Sequence, residues 1–189
     1  IEAESLLQRA REQCLLRLEL AELREMVGSP THQRIIGKSP AIQEVKRLIK
    51  KVAPLDCTIL LEGETGTGKE LFARAIHQMS SRADRRLLAV NCGAFTPEIL
   101  SNELFGHEKG AFTGAGKKTD GLFLQAHQGT LMLDEVGDLP RPAQKSLLRT
   151  LQERSVRPVG SNNEFPIDIR LVAATNLDLD QMVSDGLFR

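Results

Sequence analysis

Gly63-Glu64-Thr65-Gly66-Thr67-Gly68-Lys69-Glu70 follows the apolar run Cys57-Thr58-Ile59-Leu60-Leu61 and opens into Leu71-Phe72-Ala73-Arg74-Ala75-Ile76. Strand, glycine loop, helix is the order of a phosphate-binding loop. Glycines admit backbone conformations closed to other residues, so successive N–H groups can converge on an anion. The helix that follows turns its N-terminus, with its partial positive charge, toward the same point. Lys69 adds a full charge for the outer phosphates. Gly63, four residues, then Gly68-Lys69 fits the P-loop spacing up to its last position, where Glu70 stands in place of a Ser or Thr hydroxyl. The stretch predicts a nucleoside triphosphate held by residues 63–70 at the edge of an α/β sheet.

Downstream, Thr130-Leu131-Met132-Leu133-Asp134-Glu135 reads as a buried strand ending in two acids. After a P-loop that pairing predicts a first carboxylate, Asp134, that helps hold magnesium, and a second, Glu135, that orients or deprotonates the attacking water. Leu87-Leu88-Ala89-Val90 is a shorter buried strand with Asn91 at its C-terminal end. Ile169 to Asn176 is another, ending in Thr175-Asn176. Ligands sit at the C-terminal ends of strands in open α/β sheets. Asn176 has two natural uses, contact with the γ-phosphate or water and capping of the next helix. Upstream, Ser39-Pro40 predicts an N-cap and first-turn proline for a helix whose buried stripe is Ile42, Val45, Leu48, Ile49 and Val52, ending before Pro54. Ile36 and Gly37, just before it, suit either an adenine ring or plain apolar packing.

From Glu98 the pattern is helical through Leu104. Phe105 to Gly116 then reads as a flexible loop in which glycines surround Phe112. That Phe suits a contact surface or a tucked-in anchor equally well. Val156 to Phe165 predicts a short hairpin with a polar tip. Residues 1–27 read as one helix with Leu16, Leu20, Leu23 and Val27 in coiled-coil rhythm, fit either to dimerise or to fold back on the domain. Gly28-Ser29-Pro30-Thr31 breaks it. The organisation expected is therefore a linker helix over 1–30 and a nucleotide-binding domain over 31–189.

Across 189 residues, 25 Lys and Arg balance 25 Asp and Glu, so no overall field favours nucleic acid or an anionic membrane. Cys14, Cys57 and Cys92 are too scattered for a disulfide framework or zinc site and point to a reducing cytosol. His107-Glu108 begins like a zinc-protease helix, but Ala111 occupies the second ligand position. Trp and Tyr are absent, leaving little to stack on bases. No signal peptide or bilayer-length apolar run is legible, and a cytoplasmic location is expected.

Together these residues resemble the central domain of the sigma-54-dependent transcription activators, the bacterial enhancer-binding proteins of the AAA+ class. The resemblance covers residues 35–189 and rests on GETGTGKE from Gly63, ELFGHEKGAFTGA from Glu103, GTLMLDE from Gly129 and RLVAATN from Arg170. In that family Glu is the ordinary last residue of the P-loop. The resemblance implies a three-layer AAA+ sandwich that hydrolyses ATP with Mg2+ at the interfaces of a hexamer or heptamer ring, with dimers as a further assembly. It implies that Asn91 switches Glu135 between resting and active positions and that Thr175 and Asn176 are the sensor pair. Arg189 is implied to reach the neighbouring subunit's site. Gly110, Ala111, Phe112, Thr113, Gly114 and Ala115 are implied to touch the sigma-54 RNA polymerase holoenzyme and to remodel its closed complex. A second arginine, a helical lid and a helix-turn-helix that reads enhancer DNA are expected beyond residue 189. A general AAA+ ATPase and a nucleotide-binding module without turnover are the competing functions.

Overall fold

The computed structural model describes residues 35–112 and 115–189. Four parallel strands form its sheet: β1 (Ile59–Glu62), β2 (Leu87–Asn91), β5 (Thr130–Asp134) and β8 (Arg170–Thr175), in spatial order β1-β8-β5-β2. The central pair, β5 and β8, are near-continuous apolar runs because helices cover both their faces. Alternation along them sorts the core into two layers. Leu131, Leu133, Leu171 and Ala173 join a larger cluster with Leu100, Leu104, Phe123 and Leu147. Met132, Val172 and Ala174 face Ile49, Ala73 and Ile76 on the other side. The result is a three-layer α/β sandwich, as the sequence predicts.

The second face is covered by α1 (Pro40–Val52) and α2 (Lys69–Gln78). Ser39 caps α1 by accepting the Ile42 N–H, and the buried Arg170 guanidinium donates to the carbonyls of Val52 and Ala53 at its other end. The first face is covered by α3 (Pro97–Phe105), a single-turn α4 (Leu122–Gln125) and α5 (Arg141–Glu153). Phe105 stacks on Phe123 with ring centroids 5.5 Å apart, so it ends α3 inside the core rather than opening the loop. Two-residue strands β3 (Gly106–His107) and β4 (Thr119–Asp120) then pair antiparallel. They give the loop between them a closed base, in place of the wholly flexible stretch the glycines predict. Gly106 takes φ +77° there, and a side chain on it would collide with the Thr119 carbonyl at 2.5 Å. β6 (Ser155–Val156) and β7 (Phe165–Pro166) form the predicted hairpin, and α6 (Leu179–Ser184) follows β8.

Below the sheet, Arg82 is 9% exposed and donates to the carboxylates of Asp56 and Asp168 and to the carbonyls of Gly129 and Asp168. One planar guanidinium thus ties the approaches to β1, β5 and β8 at the end opposite the phosphate loop. The linker helix expected over 1–30 lies outside the described residues. Among the described residues no helix is long and apolar enough to cross a membrane.

Candidate nucleotide site

Parallel strands end together, and here Glu62, Asn91, Asp134 and Thr175 end on one edge of the sheet. The P-loop leaves β1 at that edge. Gly66 and Gly68 take φ +83° and +84°, conformations costly for other residues, and Gly68 stands at the N-cap of α2. Lys69 Nζ donates to the carbonyls of Gly63 and Glu64 at 2.7 and 2.9 Å, so the ammonium lies along the loop. Thr67 Oγ1 donates to the Glu64 carbonyl, and Glu70 pairs with Arg74 one turn on.

A cleft of about 220 Å³ brings together Thr65, Gly66, Gly68, Lys69, Glu70, Asp134, Glu135 and Asn176. These come from three separate strand ends, and the sequence predicts every one of them. Asn176 Nδ2 donates to Thr65 Oγ1 at 3.2 Å, tying the turn after β8 to the P-loop. Its rival use is filled by another residue, since Asp178 caps α6 by accepting the Gln181 N–H. Thr175 is fully buried, and its hydroxyl accepts from Leu177 N at 3.0 Å, where it shapes the turn that presents Asn176. Ile36 is 93% exposed and, with Ile35, Ile42, Thr67, Leu71 and Phe72, borders a hollow of about 100 Å³ beside Gly68. The Gly37 carbonyl accepts from Gln43 Nε2 and Lys46 Nζ, which pins that entrance to α1.

Asn91 and Asp134 are register partners across β2 and β5. The Asp134 carboxylate accepts from the Glu135 N–H at 3.0 Å, and Glu135 itself takes φ +53° and ψ +46°. A non-glycine residue in that region is strained by about 1–3 kcal/mol, of a kind that collects at functional sites. Asn91 Oδ1 accepts from Gly93 N at 2.8 Å. The Glu135 carboxylate lies over the same glycine: a Cβ built on Gly93 would stand 2.7 Å from Glu135 Oε2 and 3.2 Å from Asp138 Oδ2. Gly93 and Asp138 therefore belong to this corner, although nothing in the local sequence marks them. Burial, and then the negative charges of Asp134, Asp138 and Glu135, push the Cys92 thiol up to about 12.

The donor set fits a magnesium nucleotide. Magnesium keeps several waters and takes one or two carboxylates besides phosphate oxygens. Asp134 supplies such a carboxylate opposite a loop of glycines and a lysine. The described residues hold no His, Cys or carboxylate cluster suited to a metal ion without phosphate oxygens.

Away from the cleft, Phe112 is 42% exposed and meets the His107 ring edge-on at 5.0 Å. Gly110 N donates to the Ala115 carbonyl and Ala115 N to that of Phe112, which closes the loop on itself. Thr113 and Gly114 lie outside the described residues. The hairpin grips the loop base: Glu108 N donates to Val159 O, Val159 N donates to Gly106 O, and Ala111 abuts Gly160. Lys118 pairs with Glu108 at 3.1 Å and sits 5.1 Å from the centre of the Phe165 ring. Arg189 is exposed at the end of the segment that follows α6.

A parallel sheet in the order β1-β8-β5-β2, with a glycine loop leaving β1 and paired acids ending β5, defines a P-loop nucleotide-binding domain. The sigma-54 interaction domain model matches residues 35–189, and the chain belongs to that family of sigma-54-dependent activators. The transcriptional regulatory protein ZraR of Salmonella typhimurium is 54% identical over 155 residues, 82% of this chain and 35% of that protein. NtrX of Brucella abortus in complex with ADP superposes with a TM-score of 0.82 at 36% identity, covering 96% of this chain and 39% of that one. The same protein in complex with ATP gives 0.78 at 36% identity, over 97% and 40%. The chain thus spans about a third of the length of the curated relatives it matches.

Proposed function

We propose that this domain hydrolyses ATP and spends the change on moving the Phe112 loop against sigma-54. One observation carries the reading: α3 spans the distance between the two features. Its N-terminus at Pro97 is separated by three residues from Asn91-Cys92-Gly93, where Gly93 lies under the Glu135 carboxylate, and its C-terminal side runs into the loop that carries Phe112. A shift of the Glu135 corner is therefore handed to the loop through one packed helix.

In the chemical step the P-loop amides and Lys69 bind the phosphates, and Asn176 and Thr65 orient the outer one. Magnesium, held by Asp134, would offset charge on the phosphate oxygens. A water oxygen bonds to the γ-phosphorus, its proton passes to the Glu135 carboxylate, and the bond to the β-phosphate oxygen breaks to leave ADP and phosphate. Asn91, beside Glu135, holds that carboxylate in or out of reach. Arg189 reaches into the neighbouring subunit's site in a ring, where positive charge on the transferring phosphoryl raises the rate by orders of magnitude. ZraR is named a transcriptional regulatory protein. The corresponding role here is a cytoplasmic activator of sigma-54 polymerase, with residues 1–30 as a linker to a regulatory module and enhancer DNA read by a separate domain.

Two variants of the full-length protein test this. Glu135→Gln keeps ATP binding and loses hydrolysis, whereas Thr113→Ala keeps hydrolysis and loses open-complex formation. Promoter opening by Thr113→Ala at the unaltered rate would remove the loop from the mechanism.

A further inference from the structure

Helix α5 carries a buried glutamine where its neighbours on the same face, Ala143 and Leu147, are apolar. Gln144 is 5% exposed, and its Oε1 has no partner among the described residues. An unpaired buried acceptor costs about 1–3 kcal/mol, so an apolar residue of the same size would serve the core better. What the amide provides is a bridge. Nε2 donates to the Leu139 carbonyl at 2.8 Å and to the Leu187 carbonyl at 3.2 Å.

Each end of that bridge matters. Leu139 closes the short turn Val136–Asp138 that follows Glu135, its N–H donating to the Val136 carbonyl. Leu187 lies two residues before Arg189. Its segment reverses after α6 at Gly186, φ +68°, with the N–H groups of Leu187 and Phe188 both donating to the Met182 carbonyl. Phe188 packs against the core, and the Arg141 guanidinium donates to the Gly186 carbonyl. Two side chains from the first turn of α5 thus hold the backbone that carries Arg189.

We propose that Gln144 is a positioning residue for Arg189, fixing the arm that reaches the neighbour's nucleotide and tying it to the Glu135 turn of its own subunit. The proposal rests on the reading of Arg189 as acting in trans. Arg141 is the second tie to the same arm.

The test uses the full-length protein with Gln144→Met, which keeps the volume and removes the donor. A misplacement of about 1 Å costs on the order of a hundredfold, so kcat for ATP falls by about tenfold to a hundredfold while KM stays within about twofold. Mixed with Glu135→Gln subunits, which lack the base but carry an intact arm, Gln144→Met regains turnover, because its own sites then receive a correctly held arginine. A folding defect would not be rescued in this way. Arg189→Ala mixed with Glu135→Gln is the control, and recovery there establishes transfer in trans. Recovery in the control but not with Gln144→Met overturns the proposal, as does unaltered kcat in Gln144→Met alone. No recovery in either mixture overturns the trans reading of Arg189, and the proposal with it. If thermal melting shows that Gln144→Met does not fold, Arg141→Met cuts the other tie from an exposed position and predicts the same loss and the same recovery. Unaltered kcat in Arg141→Met would then overturn the proposal.

Discussion

Replacing Gly93 by Ala probes the corner where hydrolysis and movement meet. The added methyl would stand 2.7 Å from Glu135 Oε2, about 0.7 Å inside ordinary contact. It would also stand 3.2 Å from Asp138 Oδ2 and 3.4 Å from Asn91 Oδ1. The atoms it meets are the far ends of side chains, and Gly93 has no left-handed backbone to strain. The fold accommodates it by swinging the Glu135 carboxylate aside. Stability therefore changes by no more than about 0.5 kcal/mol, as for an ordinary surface substitution. A general base displaced by most of an ångström costs on the order of ten- to a hundredfold in kcat. ATP affinity, set by the P-loop on the other side of the cleft, stays within about twofold. Steady-state hydrolysis by the full-length protein, with thermal melting alongside, gives both quantities. Unaltered kcat in a folded Gly93→Ala protein would refute the placement of the Glu135 carboxylate over Gly93.

Other outcomes follow from the electrostatics. Arg82→Met removes the guanidinium bonds to the carboxylates of Asp56 and Asp168 and the second donor to the carbonyls of Gly129 and Asp168, and is expected to cost about 2 kcal/mol in urea unfolding. The hydrogen bond from Arg82 also holds the Asp168 carboxyl below its ordinary value of 3.8. Because the folded value is depressed, this contribution is complete above 3.8 and is lost as pH falls through the folded value, so Arg82→Met flattens the acid side of the stability profile. Burial, the larger cause, lowers the pKa of His77, which pairs with Thr130 at 2.9 Å. Stability in wild type therefore declines as pH drops below 6.5, where the unfolded imidazole takes up a proton that the folded one resists. Cys92, buried with its thiol at about 12, stays unlabelled by iodoacetamide at pH 8 while the exposed Cys57 reacts, as site-resolved mass spectrometry would show.

What the sequence discloses here is what short-range physics writes into it. The buried strands announce themselves as apolar runs, and β5 and β8 fall inside the stretches Thr130 to Glu135 and Ile169 to Asn176 that the sequence marks as strands, each ending just before the polar residue at its C-terminal end. The P-loop is legible because its glycines serve adjacent backbone geometry. Ser39-Pro40 marks the start of α1 for the same reason. Features held by contacts distant in sequence are not legible. Strands β3 and β4 have two residues each and exist because Gly106 and Gly121 let two chains cross. Phe105 looks like the first residue of a glycine-rich loop until Phe123 appears beneath it. Gly93 and Gln144 carry no local signal, since each is defined by groups about 40 residues away or more. Asn176 illustrates the middle ground: both of its readings are sound locally, and a neighbour two residues on takes one of them.

In the proposed mechanism, nucleotide bound at Lys69, Asp134 and Glu135 determines where Phe112 points. The most direct measurement is capture of purified sigma-54 by the full-length protein loaded with ADP and aluminium fluoride, which mimics the phosphoryl in transfer. The expected result is a stable complex that requires the analogue and is lost in Phe112→Ala and in Lys69→Ala alike. Equal capture with no nucleotide, or by Phe112→Ala, would contradict it.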